Sequence, residues 1–190
     1  PAKAKQRKAF AKALAGTLAD DRPKAVKGFI LRQLQICAGN EQAAAIASFL
    51  TDGDEHLYEY SAQALEAIGP STTDHFRKAY PKAKGAPRLT VLQGLGFLRD
   101  EKSVKVFRSA SKEKDLEIRL AGLWSLVRIA STEDVQFLLD ALVNLDESTK
   151  MAELMTRDFL DVFASIKRNE LQDYNIRISS WEVSYLGSML

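Results

Sequence analysis

Three cations, Lys105, Arg108 and Lys112, stand at i, i+3 and i+7 in a segment of helical spacing, so a helix would carry them on one face. Thirty residues earlier the same spacing gives His75, Lys78 and Lys82, and Lys102 extends the row. Such a ridge draws anionic groups, either the carboxylates of an acidic protein or the phosphates of a nucleic acid. The other reading is a plain solvated face, because Lys and Arg mostly sit in water anyway. Nucleic-acid binding would show as a log–log salt slope of about −0.9 per phosphate contact. Yet no aromatic residue is interleaved at the ridge positions, and the sequence pI of 8.7 lies below the ~9 of a dedicated nucleic-acid domain. An acidic protein surface is the easier partner to defend, with nucleic acid second.

Other chemistry is thin. There is no Gly-x-Ser-x-Gly and no phosphate-binding loop. Gly94-Leu-Gly96 opens like a dinucleotide turn, but Arg99 stands where the third glycine belongs and the segment reads as helix. The two histidines, His56 and His75, and the single cysteine, Cys37, are dispersed, whereas a structural zinc wants four clustered ligands. Cys37 reads as a small core residue and excludes an internal disulfide. Asp52-Gly-Asp-Glu55 lacks the spaced ligands of a calcium loop and reads as a turn into a helix with an acidic first turn. No cofactor or metal is implied, and the chain reads as non-enzymatic. Trp124 has two readings: a buried aromatic under a following helix, or an exposed anchor for a partner. The basic start, Lys3, Lys5, Arg7, Lys8 and Lys12, is read as a solubilising terminus or as an arm on an acidic partner.

What must position these residues is a repeated element. Leu34, Leu65, Leu95 and Leu126 recur every 30 or 31 residues, the period of a stacked array of small units. Around them Ile30, Leu34 and Cys37 match Ser61, Leu65 and Ile68, then Val91, Leu95 and Leu98, then Gly122, Leu126 and Ile129. A second stripe pairs Ile46 and Phe49 with Phe76 and Ala79, Phe107 and Ala110, and Leu138 and Ala141. Two stripes sharing one offset predict helix pairs over 24–51, 55–80, 87–111 and 115–145, each burying its apolar face only by stacking on its neighbour. Gly39-Asn40, Gly69-Pro70, Asp100-Glu101 and Ser131-Thr132 fall between paired helices. A capping helix is expected over 7–20, with Ala9, Phe10, Ala13, Leu14, Thr17 and Leu18 on its inner side. A longer capping helix is expected over 146–168. The tail of 169–190 breaks the repeat and alternates like extended chain, with Trp181 and Tyr185 in it, and is read either as packing on the last helices or as the start of another domain. With Pro1 at the other end, the sequence reads as a piece of something longer.

Asp115-Leu-Glu-Ile-Arg-Leu-Ala121, followed by Leu126 and Ile129, resembles the first helix of HEAT-like repeats of the phycobilisome-lyase type. Ala38-Gly-Asn-Glu-Gln-Ala-Ala-Ala-Ile46 and Leu98-Arg-Asp-Glu-Lys-Ser-Val104 are similar to that family's link into its second helix. The resemblance covers about 24–145 and departs most at Tyr60-Ser61, where Ile-Arg or Val-Arg is usual. It implies an all-α solenoid, an armadillo-like superhelix of about four helix pairs with second helices on the concave side. Such repeats occur in scaffolds, bilin-attaching lyases, a DNA-glycosylase branch and large bacterial proteins. They bring no catalytic motif to this chain.

Composition agrees with a folded chain. Of 190 residues 46% are apolar and 27% charged, ordinary globular usage. No apolar run approaches the ~20 residues that cross a bilayer, no signal-like segment follows the basic start, and no membrane partner is expected. The net charge of +2 hides blocks of +6 over 1–27, −6 over 28–75, +8 over 76–114 and −6 over 115–190. The reading is therefore a non-enzymatic binding scaffold for a protein partner or another domain of its own chain, using His75, Lys78, Lys82, Lys102, Lys105, Arg108, Lys112 and Trp124. The alternatives are nucleic-acid binding in the manner of the glycosylases and bilin attachment in the manner of the lyases. Compartment and oligomeric state stay open.

Overall fold

The computed structural model describes residues 2–129 together with Asp134, Phe137 and Leu138. The expected helix over 146–168, the tail of 169–190 and most of the fourth repeat's second helix lie outside them. The described residues form eight α-helices: α1 (Ala2–Gly16), α2 (Lys24–Cys37), α3 (Asn40–Ala47), α4 (Glu55–Ile68), α5 (Thr73–Ala79), α6 (Ala86–Phe97), α7 (Val104–Ala110) and α8 (Leu116–Ile129). No strand occurs among them. The chain divides into two compact units, Pro1–Ser103 and Val104–Leu190.

In the first unit α2 packs on α4 and α4 on α6, while α3 packs on α5 beside them and α1 covers α2 and α3. This is the stacking that the leucine period demands. Leu34, Leu65 and Leu95, one from each first helix, are fully buried, with Ile46 and Phe76 from the second helices. Ser61 replaces an aliphatic in the same stripe without an unsatisfied polar group, because its hydroxyl donates to the carbonyl of Ile46 at 2.7 Å. Helix starts follow the acidic turns. Asp54 Oδ1 accepts the amide of His56 at 3.1 Å at the head of α4, which satisfies an N–H that the helix itself leaves open.

The first helix corrects one expectation. Ala11 in α1 and Leu18 in the short 3-10 turn that follows it (Thr17–Ala19) are fully buried, with Leu14 and Ala15 half-buried between them. Phe10 is 54% exposed, and Ala9 and Ala13 lie outside with it. Two helical stripes share Leu14 and Leu18 and differ by a rotation. The alanine one wins because small side chains let α1 approach α2 and α3 closely. The helix also begins at Ala2, since Ala, Lys, Gln and Arg are all strong helix formers.

In the second unit α7 packs on α8, and Phe107, Leu123 and Leu126 are buried. Gly122 makes this pair close. A Cβ there would stand 2.5 Å from the backbone nitrogen of Ser111 and 2.9 Å from the carbonyl oxygen of Phe107. Asp115 heads α8, its Oδ1 accepting the amides of Glu117 at 3.0 Å and Ile118 at 3.2 Å.

Candidate functional site

The structure separates the cations into two kinds. In the first unit Lys78, Lys82 and Lys102 are exposed and His75 is half-buried. Arg77, next to Lys78, has a different task. Its guanidinium reaches Asp74, on its own helix, and the buried Asp100, whose other oxygen accepts the Ser103 hydroxyl at 2.6 Å. In the second unit Lys105 and Lys112 are exposed, and the Lys112 ammonium lies 5.7 Å from the ring centroid of Phe137. Arg108 repeats the role of Arg77. Its Nε and Nη2 hold both oxygens of buried Asp134, at 2.7 and 3.0 Å. Arg108 therefore pairs with a core carboxylate, although the sequence put it in an open basic row. A signal for this was present: the dipeptides Phe76-Arg77 and Phe107-Arg108 recur 31 residues apart, so each arginine follows a buried phenylalanine inside a second helix. Trp124 is half-buried, with the Arg128 guanidinium 5.0 Å from its ring centroid.

A cavity of about 420 Å³ opens where α1 meets the link between α2 and α3, lined by Arg7, Lys8, Cys37, Gly39, Glu41 and Gln42 among others. Its polar groups largely satisfy one another. Arg7 Nε donates to the Cys37 carbonyl at 3.4 Å, Lys8 pairs with Glu41 at 3.2 Å, and the Gly39 amide donates to Gln42 Oε1 at 3.0 Å. The Cys37 thiol donates to the Gln33 carbonyl at 3.3 Å. Burial pushes its pKa up against the opposing pull of Arg7, so it stays a thiol and is a poor nucleophile. Among the described residues no group of three or more His, Cys, Asp or Glu could hold a metal ion. No described helix is long and apolar enough to cross a membrane.

Glu66, on α4, is the described carboxylate furthest from its usual behaviour. Burial, reinforced by the charge of Glu59 two turns earlier, pushes its pKa up to about 7. A carboxyl that binds its proton more tightly when folded stabilises the fold most below about pH 4.5 and loses that contribution as pH rises through about 7. Glu66→Gln is therefore expected to raise stability above pH 7 by on the order of 1–3 kcal/mol and to change little near pH 4.5. Urea denaturation at the two pH values measures this; an equal effect at both would sink it.

The profile of HEAT repeats matches residues 73–155, and that of the glutamine synthetase catalytic domain matches residues 131–186, nearly all outside the described residues. None of the curated proteins matches the sequence. Among solved structures, a designed armadillo repeat protein is similar over 93% of this chain and 96% of its own, with a TM-score of 0.51 at 12% identity. That likeness concerns the fold alone. With the HEAT match, it supports a HEAT/armadillo-like repeat chain whose fold class is all-α, an α-solenoid.

Proposed function

We propose that this chain is a non-enzymatic scaffold that recognises a protein partner, or a neighbouring domain, through exposed faces of its helices. One observation carries the reading. Where Arg77 and Arg108 are committed to buried aspartates, Lys78, Lys82, Lys102 and Lys105 stand in solvent. The fold uses the arginines, and it leaves these lysines for something outside it. Acidic protein surfaces are the matching chemistry. The half-buried Trp124 suits an anchor beside such charges, since Trp is enriched in interface hot spots. HEAT-like and armadillo-like arrays bind through extended surfaces of this kind.

The test is a pull-down from the source cells with the intact chain beside two variants. One carries Lys78→Glu, Lys82→Glu and Lys102→Glu, the other Lys105→Glu and Lys112→Glu; Arg77 and Arg108 are left untouched because the fold needs them. A partner retained by the parent and lost by at least about tenfold in either variant is the expected result, with weaker retention at high salt. The same proteins on all three baits would demote the lysines to a solvated face. Nucleic acid in the eluate, lost after nuclease treatment, would replace the protein-partner reading.

A further inference from the structure

The cavity of about 420 Å³ beside α1 holds one polar group that the rest of its lining does not satisfy. Gln42 is only 6% exposed. Its Oε1 accepts the Gly39 amide at 3.0 Å, while its Nε2 donates no hydrogen bond among the described residues. That nitrogen is not sealed in the core, so it faces the cavity that its residue lines. A side chain buried to this degree normally finds a partner for each polar end. Two further sets of donors line the same space. The backbone amides of Asn40 and Glu41 are the first two of α3, which a helix cannot satisfy from within, and Gly39, as the residue before the helix, has no side chain to cap them. The Asn40 side chain is engaged elsewhere, its Oδ1 accepting the Ser71 hydroxyl at 2.6 Å. On the α1 side the Arg7 guanidinium is anchored through Nε to the Cys37 carbonyl at 3.4 Å, and its two terminal nitrogens have no partner among the described residues.

Every one of these open groups is a donor, and they line one cavity from two elements, which is the lining an oxyanion requires. Charge decides which oxyanion. Lys8 and Glu41 also line the cavity and pair with each other at 3.2 Å, which leaves Arg7 as the cation there without a carboxylate. A planar guanidinium fork matches a planar carboxylate oxygen for oxygen. A doubly charged phosphate would bring a second negative charge toward Glu41 with no second cation to meet it, and like charges set side by side are costly. The volume far exceeds a carboxylate group and falls among cavities that hold small ligands. Ala4 and Ala38 give the wall an apolar part for the body that carries the acid. We infer that the cavity between α1 and the α2–α3 link binds a carboxylate, clamped by Arg7 and received by Gln42 Nε2 and the amides of Asn40 and Glu41. That carboxylate can belong to a small organic acid or to the C-terminus of a peptide. The inference does not depend on the scaffold reading, whose lysines lie on other helices.

The experiment is an NMR titration of the intact, isotope-labelled chain with four probes: N-acetyl-dialanine as the free acid, the same dipeptide as its C-terminal amide, butyrate, and inorganic phosphate. The Gln42 side-chain amide and the backbone amides of Asn40 and Glu41 should move with a carboxylate probe at about 10 mM and stay still with the dipeptide amide. Dipeptide acid bound at least about tenfold tighter than butyrate assigns the site to a peptide C-terminus; butyrate bound as tightly or more tightly assigns it to a small acid. Gln42→Glu keeps an oxygen for the Gly39 amide, at a helix position where Glu serves as well as Gln, but removes the donor and adds like charge. It should weaken binding by about tenfold or more, and so should Arg7→Gln at its exposed position. Lys78→Gln, which removes the same charge elsewhere, should stay within about twofold of the parent. Circular dichroism checks that the helices persist, and Arg7→Gln carries the test if Gln42→Glu disturbs them. Stillness of the three amides with both acids overturns the inference, because the cavity then holds water alone. Equal response to the dipeptide amide, or phosphate bound as tightly as the acids, overturns it too, as does an Arg7→Gln variant that binds like the parent.

Discussion

Arg77→Met is expected to destabilise the first unit by about 3–5 kcal/mol, while Lys78→Met, one residue on, stays within about 0.5 kcal/mol. The contrast follows from what each cation faces. The Asp100 side chain is only 7% exposed, and ionised carboxylates are strongly penalised when water is removed. Arg77 and the Ser103 hydroxyl supply what water would have given, one to each oxygen. Methionine keeps most of the aliphatic stem and its packing but leaves the carboxylate with Ser103 alone. Adding Asp100→Asn to Arg77→Met should recover part of the loss, because the buried charge is then gone; that recovery separates electrostatics from packing. Urea unfolding of the four proteins reads the effect. A loss below about 1 kcal/mol for Arg77→Met would mean that Asp100 finds water or another donor, and the structural role assigned to the arginine would fail. Arg108 and Asp134 make the same wager in the second unit, which is why Arg108 reversal is a poor probe of partner binding: it would report unfolding.

These pairs also mark what the sequence could and could not say. The period of Leu34, Leu65, Leu95 and Leu126 was legible because a buried stripe constrains residue type at every turn, and burial is a strong filter. The turns were legible for a related reason: Gly39-Asn40, Gly69-Pro70 and Asp54 have backbone or capping roles tied to their types. The cations were not so readable. A lysine in water and an arginine over a buried aspartate look alike in a charge count, and only the recurrence of Phe-Arg at the 31-residue offset hinted at the difference. Phe10 failed for a different reason. The two possible inner stripes of α1 share Leu14 and lie a rotation apart, and the one with small alanines packs while Phe10, 54% exposed, goes outward. The outward stripe of Phe29 and Ile36 on α2 was likewise invisible until the packing of Gly28 and Gln35 against α4 fixed which way α2 faces.

Truncating the ladder should have effects as large as breaking the ion pair. Leu65→Ala is expected to cost about 2–5 kcal/mol and Phe76→Ala about 3–5 kcal/mol, whereas Ile36→Ala, also an aliphatic on a first helix, should be near neutral. Leu65 and Phe76 are completely buried and Ile36 is 72% exposed, so hydrophobicity alone does not set the ranking. Position in the stack does. The helix of Leu65 is packed on α2, α3 and α6 at once, and a cavity there cannot collapse without moving three neighbours, which places it toward the upper end of the range. Phe76 has a second reason to resist replacement. Gly94 of α6 has no side chain where a Cβ would come within 2.4 Å of the Phe76 ring, so ring and glycine are shaped to each other and Gly94 brings no side chain to fill the void. In an array whose stability is carried by nearest-neighbour interfaces, the loss should also spread. Amide exchange should quicken in α2 and α6 after Leu65→Ala, and in α5 and α6 after Phe76→Ala, with α8 less affected. Exchange that quickens only in the helix carrying the mutation would contradict this, because the helices would then be standing alone and the leucine period would no longer be what holds the fold together.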